Sequence, residues 1–175
     1  VQKLFSGKKY FDYPKSVDLL RTFIASISDK DALILDFFSG SGTAAHAVMA
    51  QNAHDGGKRK FILVQLPEEC DSNSVAFKDG LKTICDIGKE RIRLAGKKVN
   101  AENPNTDTGF RVFKLDDSNM KDVFYAPADY DQDLLSMLES NIKEDRTDLD
   151  LLFGCLLEWG LPLSMPYTSE EICGC

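Results

Sequence analysis

The sequence is poor in the residues that build metal and nucleophile centres, with two histidines, one tryptophan and five cysteines among 175 residues. His46 and His54 have no companions at metal-site or triad spacing, so both read as structural or exposed and the metal class is set aside. Cys70, Cys85, Cys155, Cys173 and Cys175 make no C-x-x-C pair and are odd in number, which excludes a disulfide framework and reads as reduced thiols in a cytoplasmic protein. Cys173-Gly174-Cys175 has no second Cys/His pair near it and reads as ordinary thiols. No apolar run is long enough for a membrane span, and no signal peptide is evident. No two prolines are adjacent. Basic residues become scarce after residue 115: up to there 18 Lys/Arg oppose 14 Asp/Glu, a net +4, whereas from Asp116 onward 3 oppose 14, a net −11. The two parts are expected to face different surroundings, and the acidic one is unsuited to DNA.

What the chain does have is 43% apolar residues, enough for a real core at this length. Pro14 and Ser16 precede Leu20, Phe23, Ile24 and Ile27 at helical spacing, predicting a helix over 17–27. Residues 33–37 read as a buried strand, 43–52 as a helix and 61–64 as a second buried strand, a unit of the length expected for a right-handed β-α-β crossover. Leu81, Ile84, Cys85, Gly88, Ile92 and Ala95 mark one face of a further helix. Its Lys89, Arg91, Arg93, Lys97 and Lys98 read as a solvated basic face that suits the dipole of the later turns. Residues 110–115 alternate like a strand. Beyond Asp116 two helices are expected, one with Leu134, Leu135, Leu138 and Ile142, the other with Leu149, Leu152, Phe153, Leu156 and Leu157. Trp159 reads as core or interface. The expected organisation is α/β over 1–115 with an appended, acidic, mainly helical segment over 116–175. Three strands are few for a doubly wound sheet, and the ends look unnatural, so a fragment is expected.

The chemistry concentrates at Asp36-Phe37-Phe38-Ser39-Gly40-Ser41-Gly42-Thr43-Ala44-Ala45. Gly40, Gly42 and Ala45 match the G-x-G-x-x-G/A pattern between a strand and a helix, where glycines allow a tight turn and a close ligand, and the helix N-terminus offers N–H groups. By itself this pattern fits many nucleotides, nicotinamide dinucleotides among them. Asp36, at the strand end, narrows the choice, because a carboxylate there repels a pyrophosphate and attracts a cation. S-adenosylmethionine carries an ammonium and a sulfonium and no phosphate. Phe38 is placed for apolar contact with such a ligand, while Phe37 is expected to pack beneath the sheet. Gln65 occupies the position after the second strand that usually meets the ribose hydroxyls, with Glu68 or Glu69 able to substitute if the loop folds back.

Residues 36–43 resemble the D-x-F-x-G-x-G-T cofactor motif of amino-methylating DNA methyltransferases. Phe11-Asp12-Tyr13-Pro14-Lys15-Ser16 resembles the second cofactor segment that precedes the glycine motif in the permuted β class. Residues 61–69 (FILVQLPEE), TICDIGKERIRLAGKK and GFRVFKLDDSN are similar to modification (Mod) subunits of type III restriction-modification systems, in which Gln is usual at the position of Gln65. The resemblance covers most of residues 10–119. It implies a partial Rossmann-like, S-adenosylmethionine-dependent methyltransferase fold and methylation of adenine N6 in DNA. The implied partners are DNA, a nuclease-helicase restriction subunit and an upstream catalytic region of the same polypeptide; a second copy of the chain, forming a homodimer, is a separate candidate partner for the acidic helices. Lys15, Ser16, Asp36, Phe38, Gly40, Ser41, Gly42, Thr43 and Gln65 are implied to frame the cofactor.

The sequence departs from that family in lacking its catalytic tetrad, an Asp, Asn or Ser followed by Pro-Pro and an aromatic residue. In the permuted class the tetrad lies upstream, so this chain is expected to be a C-terminal portion without catalytic residues or target-recognition region, inactive alone. Ser164-Met165-Pro166-Tyr167 is one residue away from a tetrad, but Met165 replaces the first proline, and Ser164 and Tyr167 read as structural. Two other readings stand beside this one: a nicotinamide-dependent oxidoreductase using the same loop, and a non-catalytic interaction or dimerisation module.

Overall fold

The helices of this chain begin where a side chain can take up a free backbone N–H. Ser16 caps α1 (Val17–Ser26), accepting from the amide of Leu19. Thr83 and Asp86 form a capping box at the start of α4 (Ile84–Glu102), as Thr147 and Asp150 do for α5 (Asp148–Glu158). The exception is α2 (Thr43–Asp55), whose N-cap is Gly42, with no side chain to offer. A single turn, α3 (Val75–Lys78), is capped by Ser74. The computed structural model describes residues 4–121 and 141–170. They fall into two compact units, Val1–Phe110 and Arg111–Cys175.

In the first unit β1 (Leu33–Asp36) and β2 (Lys60–Leu63) pair in parallel, Leu33 opposite Lys60 and Asp36 opposite Leu63, with α2 making the crossover between them. The helix is alanine-rich and apolar on nearly every side, which suits an element covered from two directions. Its Ala45 and Met49 pack with Ile92, Ala95 and Val99 of α4, while Ala47 and Val48 pack with Ile24 of α1, joined by Ile34 and Phe61 from the strands. Burying a side chain such as Met49 contributes about 1.5–3 kcal/mol. A third cluster of Phe5, Ala76 and Ile87 closes the start of α4.

Both strands were expected to be buried on two faces; only one face is covered. Ile34, Phe61 and Leu63 pack against the helices, whereas Leu33, Leu35, Ile62 and Val64 are exposed among the described residues. Phe37, expected beneath the sheet, is 62% exposed for the same reason. Within the first unit α1, α2 and α4 gather on one side of the strands.

At the far end of α2, Asp55 and Arg59 form a two-pronged ion pair at 3.0 Å in each arm, and Asn52 exchanges bonds with the Arg59 backbone. Arg59 is buried, and Gly57 beside it has no room for a Cβ, which would strike the guanidinium. Past β2 the chain folds back on itself: Glu69 bridges Thr83, the Cys70 amide donates to Lys82 O at 2.8 Å, and the Ile84 amide donates to Glu68 O at 2.9 Å. Beyond Asn103, the C-cap of α4, Thr108 lies against Gly96 and Phe110 against the core.

The second unit is built differently. Residues 110–115 form no strand, because among the described residues no neighbouring strand supplies a ladder. Arg111 instead spreads over the rings of Phe153 and Tyr167, at 5.4 and 5.3 Å from their centroids, and donates to the carbonyls of Leu163 and Met165. Phe113 meets Phe153 edge-on at 5.1 Å. Arg146 pairs with Asp117 at 2.6 Å and Asp145 at 3.0 Å, and Lys143 with Asp117 at 2.7 Å. The expected second helix is α5, but none of its residues is buried, and Trp159 at its C-cap is 74% exposed rather than core. The helix expected around Leu134, Leu135 and Leu138 lies outside the described residues, as do Cys173 and Cys175.

Candidate cofactor site

The turn from β1 into α2 requires backbone that only glycine adopts freely. Gly40 has φ +50° and Gly42 φ +73°. The ladder continues past β1 through Val64 N to Asp36 O at 2.9 Å and Ser39 N to Val64 O at 3.2 Å, so the loop starts from a fixed edge. Asp36 stands at that edge with Oδ1 accepting from the Phe38 amide at 3.3 Å. Phe38 is 76% exposed, its ring 5.1 Å from that of Phe37.

Two of the loop amides are satisfied from within. The Gly42 amide donates to Ser39 O at 2.8 Å, and the Gly40 amide donates to Gln65 Oε1 at 2.7 Å. Gln65 also donates through Nε2 to Leu66 O. The side chain expected at a ribose is therefore engaged in tying the second strand to the glycine turn. Glu68 and Glu69 are exposed where the loop folds back, and they line a cleft of about 340 Å³ with Tyr10, Phe11, Tyr13 and Asp71 among its other walls. That volume lies at the small end of the range for ligand clefts, about 300–1,000 Å³. Phe11 connects cleft and loop: a Cβ on Gly40 would sit 3.5 Å from its ring. Lys15 and Ser16 are exposed just beyond this segment, with Ser16 acting as the cap of α1.

The underside of the loop rests on α4. A Cβ on Gly88 would lie 3.4 Å from Gly40 O, and one on Gly42 would lie 3.3 Å from Ile92, so helix and turn touch backbone to backbone. Ser41 and Thr43 are buried, and both hydroxyls accept from Arg91 Nη1, at 2.7 and 2.6 Å. Family comparison finds residues 2–97, more than half of the chain, matching the model described as DNA methylase. The chain belongs to the DNA methylase family.

Individual methylases agree. The Mod subunit of the StyLTI type III restriction-modification enzyme of Salmonella typhimurium strain LT2 is 46% identical over 111 residues, which is 62% of this chain and 17% of that protein. The type II methyltransferase M.KpnI of Klebsiella pneumoniae is 42% identical over 92 residues, 53% of this chain and 22% of that protein. The EcoP15I Mod subunit of Escherichia coli is 40% identical over 105 residues, 60% of this chain and 15% of that protein. The chain thus spans less than a quarter of the length of each of these relatives.

Sequence reasoning misjudged one residue beside the loop. Arg91 belongs to the stretch expected as a solvated basic face, yet it has no exposed surface. Arg93 keeps the expected exposure and lies over Phe110, and α4 runs on to Glu102, so its last turn carries no basic residue. The available signal was Gly88, one helical turn before Arg91: a glycine inside a helix indicates close approach, and its neighbours on that face are buried with it. His46, on the adjoining helix, is half-buried with Nδ1 unpartnered among the described residues. Burial, then the charges of Arg91 and Lys98, pushes its pKa down to about 4. It stays neutral at pH 7. In the second unit Tyr167 of the Ser-Met-Pro-Tyr stretch is held by Phe153 and Arg111, a packing role.

Proposed function

We propose that this chain is the S-adenosylmethionine-binding portion of a DNA adenine-N6 methyltransferase of the type III modification-subunit kind. In this reading residues 1–115 form part of a Rossmann-like methyltransferase domain, and 116–175 an acidic, mainly helical extension. The observation that carries it is the loop itself: two left-handed glycines immediately after a strand-end carboxylate, with Phe11 against the first. The donor set fits the cofactor. Asp36 suits the ammonium and sulfonium, Phe38 and the aromatic wall of the cleft suit apolar parts of the nucleoside, and Lys15 suits the carboxylate end. Gly40, Ser41, Gly42 and Thr43 form the turn on which it rests. Because Gln65 is engaged with Gly40, the ribose hydroxyls fall to Glu68 or Glu69, which accept charge-assisted bonds. Gln65 then contributes by holding the turn.

The bound cofactor supplies an activated methyl group. Taking an adenine out of the duplex to meet it costs a few kcal/mol, and that work belongs to the catalytic tetrad and target-recognition region, which this sequence lacks. The partners proposed for the whole protein are therefore its upstream catalytic region, DNA and a restriction subunit. Membership of the DNA methylase family counts against the nicotinamide oxidoreductase. Calorimetric titration and thermal denaturation with S-adenosylmethionine, S-adenosylhomocysteine and NAD test the reading. The two sulfur nucleosides are expected to stabilise the chain by about 2.7 kcal/mol at a hundredfold excess over Kd, and NAD to do nothing. Stabilisation by NAD alone overturns it.

A further inference from the structure

Arg91 poses a physical problem. It is fully buried, yet it has no carboxylate partner: Nη1 donates to Ser41 and Thr43, and Nε and Nη2 have no acceptor among the described residues. A guanidinium taken out of water costs several kcal/mol unless it is paired, and two neutral hydroxyls return little of that. An unbranched apolar side chain would fill the space more cheaply. Core filling therefore does not account for an arginine here.

Its geometry does. A single nitrogen reaches the residues on both sides of Gly42, the one position of the turn that combines a left-handed backbone with the N-cap of α2. A hydroxyl oxygen that accepts from Nη1 has its χ1 fixed and turns its own hydrogen away from the cation. Ser41 and Thr43 are thus clamped in spacing and in donor direction. Gly88 lies against the turn here: a Cβ on it would already touch the Gly40 carbonyl at 3.4 Å, so a side chain larger than alanine would press α4 away.

We propose that Arg91 is the positioning residue of the cofactor loop: from within α4 it locks Ser41 and Thr43, and so sets the Gly40–Thr43 turn in its ligand-ready conformation before any ligand arrives. The proposal rests on the S-adenosylmethionine reading for the identity of the ligand, but the locking of the loop is observable without one.

The Gly40 and Gly42 amides, bonded to Gln65 and Ser39, are reporters of that lock. Arg91→Lys keeps the charge but replaces a rigid fork by a point donor that does not serve both hydroxyls in the same geometry. Hydrogen-deuterium exchange of the unliganded chain is expected to speed up about tenfold or more over residues 40–44, while residues 61–63 and 92–99 change less than about threefold. Ser41→Ala, which leaves Arg91 one acceptor, is expected to give the same pattern more weakly and serves if Arg91→Lys does not fold. An unchanged loop, or equal acceleration throughout the unit, overturns the proposal. Calorimetry with S-adenosylhomocysteine adds the functional arm: an approximately tenfold weaker Kd in Arg91→Lys, with little further loss when Ser41→Ala is added, marks a shared lock. Unchanged affinity in Arg91→Lys overturns the link to binding. If the native chain binds no sulfur nucleoside, it is the cofactor reading that fails, and the exchange pattern still decides the role of Arg91.

Discussion

Arg59 in the first unit and Arg146 in the second are both held by carboxylates, and on different terms. In the first, Arg59 meets Asp55 through both guanidinium nitrogens, with Asn52 holding the adjacent backbone and only 19% of the Asp55 side chain exposed. In the second, Arg146 is half-buried, and its partners Asp116, Asp117 and Asp145 stand in water. The first unit adds a packed core of Ala45, Met49, Ile92, Ala95 and Val99, whereas the helix of the second buries no residue. One unit holds its shape by excluding water; the other by interactions that water and salt weaken. The glycine turn of residues 40–43 is built on the former.

The comparison is broken most severely by removing Asp55. Arg59 already has Nε without an acceptor, and losing the carboxylate strands a buried cation. Asp55→Ala is expected to destabilise the first unit by about 3 kcal/mol, the low end for breaking a buried pair because Asn52 remains. Urea denaturation checks this. A loss below about 1 kcal/mol would mean that Arg59 is hydrated in solution and that the contrast between the units is unreal.

The local parts of this fold were legible in the sequence. Ser16, the apolar period of α1 and the glycines at 40 and 42 all act through neighbours in the chain, and each appears where its chemistry requires. Asp36 and the glycine turn could be read for the same reason. What escaped was set by distant residues. Arg91 looks like any basic residue until α4 is placed under the loop, 48 and 50 positions away from Thr43 and Ser41. That Gln65 ties the second strand to the turn, its Oε1 2.7 Å from the Gly40 amide, was equally invisible from the sequence. Alternation at 110–115 describes a strand only if a second strand is available, and here Arg111 is taken by rings and carbonyls instead.

A smaller effect sharpens the contrast through pH. His46 is half-buried in the first unit, and its pKa is pushed down to about 4 from 6.5. The unfolded chain therefore takes up a proton that the folded chain refuses, so stability is complete above about pH 6.5 and falls as the pH drops toward 4. Between pH 7 and pH 5 the loss is at most about 2 kcal/mol, and less to the extent that water reaches the ring. His46→Gln is expected to flatten that slope in urea midpoints measured at the two pH values. Parallel slopes in the two proteins would show that the histidine is solvated. Asp55, held well below the usual carboxylate range by its bond to Arg59, adds its own loss only below the ordinary carboxylate pKa, at more acidic pH.

The smallest effect is expected in the second unit. Asp117 serves both Lys143 and Arg146, and those bonds, Lys143 first, lower its pKa. Yet Asp117 is 70% exposed, so solvent screens the attraction and holding the side chains in place offsets much of what is left. Asp117→Asn is expected to shift the unfolding midpoint slightly at low salt, and not measurably at about 0.5 M NaCl, where the Debye length is near 4 Å. Asp55→Ala should lose nearly the same stability in both buffers, because its partner is buried. If the Asp117→Asn shift persisted undiminished in salt, Arg146 would be shielded in solution as Arg59 is, and the two arginines would have to be described on the same terms.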